Sequence, residues 1–265
     1  MKKTISTHTF GPWALVTGAS SGIGEEFARQ LAAQGLNLVL VARRQSLLEK
    51  LGSHLAQQYG IQYRVLGMDL ATEGSVESLI EATSELDVGL LISNAGTGRP
   101  GKFLSRTLND LMGIIQLNAL SHLRLTHHFG QRLSRRGRGG IVLTGAMGAT
   151  QGVPYMATES GTKALIEGLG KALHTEFGPT GVHVTVLKTS PTETPVLAAL
   201  GFTADTLPAT PVSAAQCVRE TLRALQANRA SIIPGRKYRV MHALLPGSLS
   251  RRFMGNTMKQ NNNIK

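Results

Sequence analysis

Seven short apolar runs recur along this chain, separated by longer stretches of helical period. The runs are WALVTG (13 to 18), LNLVLVA (36 to 42), QYRVLGMD (62 to 69), VGLLISN (88 to 94), GIVLTGA (140 to 146), VHVTVLK (182 to 188) and SIIPG (231 to 235). They are rich in Val, Leu and Ile and nearly continuous in apolarity, as strands covered on both faces must be. Helical period predicts helices over about 23 to 34, 45 to 59, 73 to 86, 107 to 135, 156 to 178 and 213 to 227. Strands alternating with helices require a parallel sheet wound by right-handed crossovers. The expected fold is α/β, a doubly wound sheet of about seven parallel strands with helices on both faces. A chain of 265 residues with 42% hydrophobic residues reads as one domain over 1 to 265.

The first run ends in TGASSGIG (17 to 24), which opens the first helix. Gly18, Gly22 and Gly24 allow a tight turn and a close backbone approach. The helix start offers free N–H groups to a pyrophosphate. A strand, a glycine turn and a helix in this order predict a Rossmann-like nucleotide site involving Gly18, Ser20, Ser21, Gly22, Ile23 and Gly24. The second strand ends in Ala42 followed by Arg43 and Arg44, where enzymes that prefer NAD usually carry an acidic residue. Two guanidinium groups suit a 2′-phosphate by charge and by bidentate geometry, so the expected cofactor is NADP(H).

Charge is uneven. The formal net charge is +12, and Glu220 is the last acidic residue, although Arg223, Arg229, Arg236, Lys237, Arg239, Arg251, Arg252, Lys259 and Lys265 follow it. A basic C-terminal extension over 236 to 265 reads first as a solvated tail that attracts an anionic cofactor. The alternative is peripheral membrane contact, because YRVMHALLPGSLSRRFMGNTM mixes apolar residues with arginines. No nucleic-acid-binding motif accompanies the charge, so no nucleic-acid partner is expected. The single cysteine, Cys217, excludes an internal disulfide. With no signal-like or spanning apolar run, the expected location is the cytoplasm. The segment 189 to 211, rich in Pro and Thr, is a candidate substrate lid. His122, His127 and His128 lack nearby carboxylates or cysteines; they are expected on a helix surface or at a subunit contact, with no metal site.

Over roughly residues 11 to 235 the chain resembles the short-chain dehydrogenase/reductase family of the classical type. The resemblance rests on TGASSGIG, on Asp69 after the third strand, on Asn94, Ala95 and Gly96 after the fourth, on LNALSHLRLT with Asn118, and on TKALIEGLGKAL with Lys163. It implies an NAD(P)(H) enzyme acting on a small-molecule substrate, with an active site of Asn, Ser, Tyr and Lys. In that scheme the tyrosine moves the proton, the lysine binds ribose and lowers the tyrosine pKa, the serine orients the carbonyl, and the asparagine holds a relay water. Asp69, Asn94, Ala95, Gly96, Lys163 and Thr192 are then expected at the cofactor. A homodimer or homotetramer through the helices at 107 to 135 and 156 to 178 is also implied.

Two members of that set are replaced. The tyrosine position, four residues before Lys163 and on the same helix face, is Glu159, and the serine position is Ala146. None of the four tyrosines has a lysine four residues later. Thr144, two residues before Ala146, shares its strand face about 6 to 7 Å further back. Tyr155, one turn before Glu159, is a candidate substitute phenol or a wall of the substrate pocket. Thr189 and Ser190, preceded by Lys188, stand where the family has Pro-Gly. A carboxyl group in water ionises near pH 4.3 and a phenol near 10. Pairing with Lys163 would hold a carboxyl charged, and burial would act oppositely.

Three readings follow. One is an atypical NADP(H)-dependent oxidoreductase that transfers hydride to a carbonyl, a conjugated enone or an iminium. The second is a non-redox cyclase, isomerase or dehydratase that uses Glu159 as acid, base or cation stabiliser. The third is an NADP(H)-binding pseudoenzyme.

Overall fold

The structure, a computed structural model, describes residues 5 to 202, 206, 207, 209 to 262 and 264. After a short helix α1 (Thr7–Phe10), the chain alternates β1 (Trp13–Thr17), α2 (Gly22–Ala33), β2 (Asn37–Ala42), α3 (Gln45–Tyr59), β3 (Tyr63–Gly67), α4 (Ser75–Glu81) and β4 (Val88–Ser93). The second half continues with α5 (Leu108–Ile115), α6 (Ser121–Arg136), β5 (Gly139–Ala146), α7 (Ala157–Phe177), β6 (Val182–Thr189), β7 (Thr192–Glu193) and α8 (Pro195–Ala199). It closes with β8 (Val212–Ser213), α9 (Ala214–Gln226), β9 (Ser231–Ile232), α10 (Arg236–Leu244) and α11 (Gly247–Asn261).

Seven strands form one parallel sheet in the order β3-β2-β1-β4-β5-β6-β9, while β7 and β8 pair separately. Successive side chains of a strand leave on opposite faces. Accordingly Ala14 and Val16 join Phe27, Leu31, Leu48 and Val218 in one core layer, and Leu15 joins Leu125, Phe129, Leu133 and Ile166 in the other. The strand order reverses between β1 and β4. Open α/β sheets place their ligand crevice at that switch point, beyond the carboxyl ends of the strands.

The helix expected over 107 to 135 forms, running from Leu108 to Arg136, but not as one regular α-helix. Between α5 and α6 the residues Gln116–Leu120 form a π turn that carries Asn118. Fully buried there, Asn118 donates from Nδ2 to the Thr97 carbonyl (2.8 Å) and accepts at Oδ1 from the Thr97 N–H (2.9 Å). A wide turn of this kind shifts side-chain phase by a residue, which periodicity alone does not reveal.

The larger correction concerns residues 236 to 265, which do not form a solvated tail over the described part. They fold back as α10 and α11 across the carboxyl end of the sheet. Tyr238 is buried and donates to the Ala209 carbonyl (2.7 Å), and Arg239 pairs with Glu220 (2.6 Å). Lys188 Nζ donates to His242 Nε2 (3.3 Å) while holding Glu167 at 2.9 Å. In α11, Gly255 packs on Pro154, where a Cβ would come within 2.9 Å of the ring, and Met258 is buried. Asn262 donates to the Leu200 carbonyl (3.1 Å). Asn263 and Lys265 of this extension, and residues 203 to 205 and 208 of the candidate lid, lie outside the described residues.

Candidate functional site

A cavity of about 780 Å³ opens over the switch point. Its nucleotide side begins at the turn after β1. Gly18 has φ +69, a left-handed conformation open to glycine at little cost. Gly24 does not line the cavity; it lies beneath the turn, where an added Cβ would sit 2.1 Å from the Gly18 carbonyl oxygen. Its lack of a side chain lets α2 start directly under the turn. Ser21 makes no side-chain capping bond to α2, so the first-turn N–H groups face the cavity uncapped. Ser20, Ser21, Gly22 and Ile23 line the same wall.

Arg44 reaches across this mouth. Its Nη2 donates to Ser20 Oγ (2.9 Å) and Ser21 Oγ (2.8 Å), placing a guanidinium beside the helix start. Arg43 is largely exposed, with Nη1 3.8 Å from Asp69 Oδ2, and Asp69 Oδ1 accepts from the Ala71 N–H (3.0 Å). Arg43, Arg44 and Asp69 all line the cavity, as do Asn94, Ala95, Gly96 and Thr192. Uncapped N–H groups, small residues and a guanidinium at one mouth are the donor set a phosphorylated dinucleotide requires.

Deeper in, Asn118, Thr144, Ala146, Glu159 and Lys163 line one region. A Cβ built on Gly96 would lie 3.3 Å from both Asn118 Oδ1 and Lys163 Nζ, so these two groups flank one bare backbone position. Lys163 Nζ donates to the Thr144 carbonyl (2.7 Å), and burial pushes its pKa down to about 8. Thr144 Oγ1 donates to Asn94 Oδ1 at 3.4 Å, a weak bond.

Glu159 does not pair with Lys163. Its Oε1 accepts from the Arg99 backbone N–H (3.0 Å) and from Arg106 Nη1 (3.2 Å). Lys163 is thereby left to the cavity and the carboxylate is held by a different cation. Tyr155, unlike Glu159, does not line the main cavity. It lines a separate depression with Phe103, Leu104 and Arg106, has φ +65, and accepts from the Gly101 N–H through its own carbonyl (2.9 Å). A bulky residue in the left-handed region costs on the order of 1 kcal/mol, and here that conformation fixes the loop that carries Arg99 and Arg106.

Sequence reasoning missed three contributors. His122 is buried, not on the helix surface. Its Nε2 faces the Ala95 carbonyl (2.8 Å), which can only accept, so Nε2 carries the proton and Nδ1 accepts from Ser93 Oγ (2.8 Å). Burial, reinforced by Lys163, pushes its pKa down to about 3, and this neutral ring fixes the Ala95 carbonyl at the cavity wall. Its position four residues after Asn118 was the available signal. Arg106 gave none, because its partner is remote in sequence. The third contributor is the C-terminal pair of helices: His242, Met254 and Met258 wall the cavity, and Leu249 and Phe253 stand at its rim. The segment 189 to 211 borders it through Pro191, Thr194, Val196, Leu197, Phe202 and Leu207.

A family model described as short chain dehydrogenase matches residues 12–203. Among curated proteins, a very-long-chain 3-oxoacyl-CoA reductase of Podospora anserina is 40% identical over 179 residues, covering 66% of this chain and 53% of that one. A protein of the same description from Phaeosphaeria nodorum is 39% identical over 188 residues, covering 68% and 55%. The matches thus span about half the length of these relatives. Among solved structures, one described in work on 7beta-hydroxysteroid dehydrogenase stereoselectivity superposes with a TM-score of 0.84 at 26% identity, covering 94% of this chain and 98% of that chain. A short-chain dehydrogenase from Sphingobium yanoikuyae in complex with NADPH gives 0.79 at 27%, covering 96% and 97%.

Proposed function

This chain belongs to the short-chain dehydrogenase family, and from that premise we propose that it is an NADP(H)-dependent oxidoreductase for a bulky apolar substrate, with Glu159 where the family's tyrosine is expected. The observation that carries this reading is the pairing of Glu159 with Arg106, so that Lys163 lines the cavity held by the Thr144 carbonyl and not by the carboxylate. Bound nicotinamide would supply or take up the hydride. Arg44 would hold the 2′-phosphate, the uncapped start of α2 the pyrophosphate, and Lys163 the ribose. Neutral His122 would keep Ala95 in place beneath it.

An ion-paired carboxylate accepts hydrogen bonds and has no proton to donate. The substrate best suited to it is therefore already activated: an iminium carbon, which becomes an amine on receiving hydride without any proton, or a conjugated enone whose enolate takes its proton from water. A chain of methylenes suits the apolar side of Leu249, Phe253 and Met258, and the long-chain acyl substrates named for the curated relatives support that choice. Exposed Leu104, Leu108, Met112, Leu123 and Leu165 on or beside α5, α6 and α7 support a second copy as partner.

The test is NADPH oxidation across a panel of plain ketones, conjugated enones and iminium salts of matched chain length. Turnover of the last two with silence toward ketones is expected, and Glu159→Tyr combined with Ala146→Ser should restore ketone reduction. No oxidation with any acceptor, despite measurable NADPH binding, would sink the redox reading. Product formation with unchanged nucleotide would favour proton abstraction by Glu159.

A further inference from the structure

Helices α10 and α11 carry an exposed apolar face and a set of cations that hydride transfer itself does not use. Val240 and Leu244 stand four apart on α10, Leu249 and Phe253 four apart on α11, and Leu245 sits at the turn between them; all five are exposed, Leu244 by 75%. Four-residue spacing puts each pair on one helix face. Soluble surfaces leave single apolar side chains open, but five exposed ones between 240 and 253, three of them at one cavity, mark a contact.

Charge decides what makes that contact. Arg236, Lys237, Arg251, Arg252 and Lys259 on these helices are all exposed, and neither helix carries an acidic residue. A two-fold pairing of this face with itself would set cations against cations, which disfavours a second copy. An apolar stripe flanked by lysine and arginine matches the boundary of an anionic bilayer, with acyl chains below and phosphates above. Among the described residues no helix is long and apolar enough to cross a membrane. The contact is therefore one that lies on the surface.

The patch is also the rim of the cavity. Leu245, Leu249 and Phe253 are at once exposed and cavity-lining. The geometry points to a membrane-docking face: α10 and α11 seat the protein on an anionic lipid surface, with the cavity mouth opening into the acyl region so that an apolar substrate enters from the bilayer. The route of substrate entry rests on the apolar-substrate reading above, whereas docking itself needs neither the nicotinamide nor Glu159.

The 265-residue chain is floated with vesicles of phosphatidylcholine alone and with a third phosphatidylglycerol. Binding to the anionic vesicles, weak on the neutral ones and weakened by added salt, is expected. Each lost cation should lower partitioning roughly five-fold, so Lys237→Ser with Arg252→Ser gives about 25-fold. Val240→Ser with Leu244→Ser should weaken it as strongly at unchanged charge, with thermal unfolding confirming that both variants fold. Failure of the wild type to bind anionic vesicles at low salt overturns the inference. So does binding that the serine variants leave intact, or a dimer in light scattering that Leu244→Ser dissolves, which would assign the face to a second copy.

Discussion

Glu159 and Arg106, 53 residues apart, form an ion pair at 3.2 Å, with side chains only 7% and 14% exposed. Removing one partner from such a pair strands the other, whereas removing both together does not. Arg106→Leu alone should cost about 3 kcal/mol of unfolding free energy. Adding Glu159→Leu should return most of that loss, as read by a double-mutant cycle in urea. Additive losses would show that the two side chains do not act as a pair.

Arg44 stands at the nucleotide mouth with two serine hydroxyls as its only side-chain partners among the described residues. Charge-assisted bonds to a phosphate are worth about 1.5 to 3 kcal/mol. Arg44→Ala should therefore weaken NADPH binding by roughly 10- to 100-fold and leave NADH within a factor of about two, measured by calorimetry. Equal losses for both would assign Arg44 to the shape of the turn instead.

Burial holds Lys163 at a pKa of about 8 against 10.5 for the free side chain. Between those values the unfolded chain binds more protons than the native one, so stability rises with pH across that window and the gain is lost as pH falls through 8. The slope approaches about 1.4 kcal/mol per pH unit and should vanish in Lys163→Met. In the same range the ammonium that would meet the ribose discharges, so NADPH affinity should fall from pH 7 to 9 in the wild type only.

For His122 the same sign applies in a lower window. Its pKa falls from 6.5 to about 3, so its contribution is full above 6.5 and is lost as pH drops toward 3. Denaturant midpoints should decline over that interval. His122→Gln, which can still donate to Ala95 and accept from Ser93, should flatten the decline; an unchanged slope would place the acid sensitivity elsewhere.

How far the sequence carried the fold varies by element. In runs such as LNLVLVA every residue but Asn37 is apolar, and the structure places Leu36, Leu38 and Leu40 in one core layer and Val39 and Val41 in the other. Likewise α3 was legible to the residue, because Leu48, Leu51 and Leu55 repeat at helical spacing and Gly60 ends it in the left-handed conformation. α10 and α11 escaped. Their apolar residues lie partly outward around a cavity rim, so no single buried stripe emerges from the pattern, and their arginines suggested a solvated tail.

At the site, the sequence by itself determined the glycine turn, the arginines after β2, and the helical register that sets Glu159 one turn before Lys163. Those are local facts, fixed by adjacency and by the 3.6-residue period. Which cation holds Glu159, which carbonyl His122 anchors, and what closes the cavity were decided only by tertiary structure. The partners come from segments tens of residues apart, and burial, which sets the pKa values of Lys163 and His122, exists only once those segments have packed.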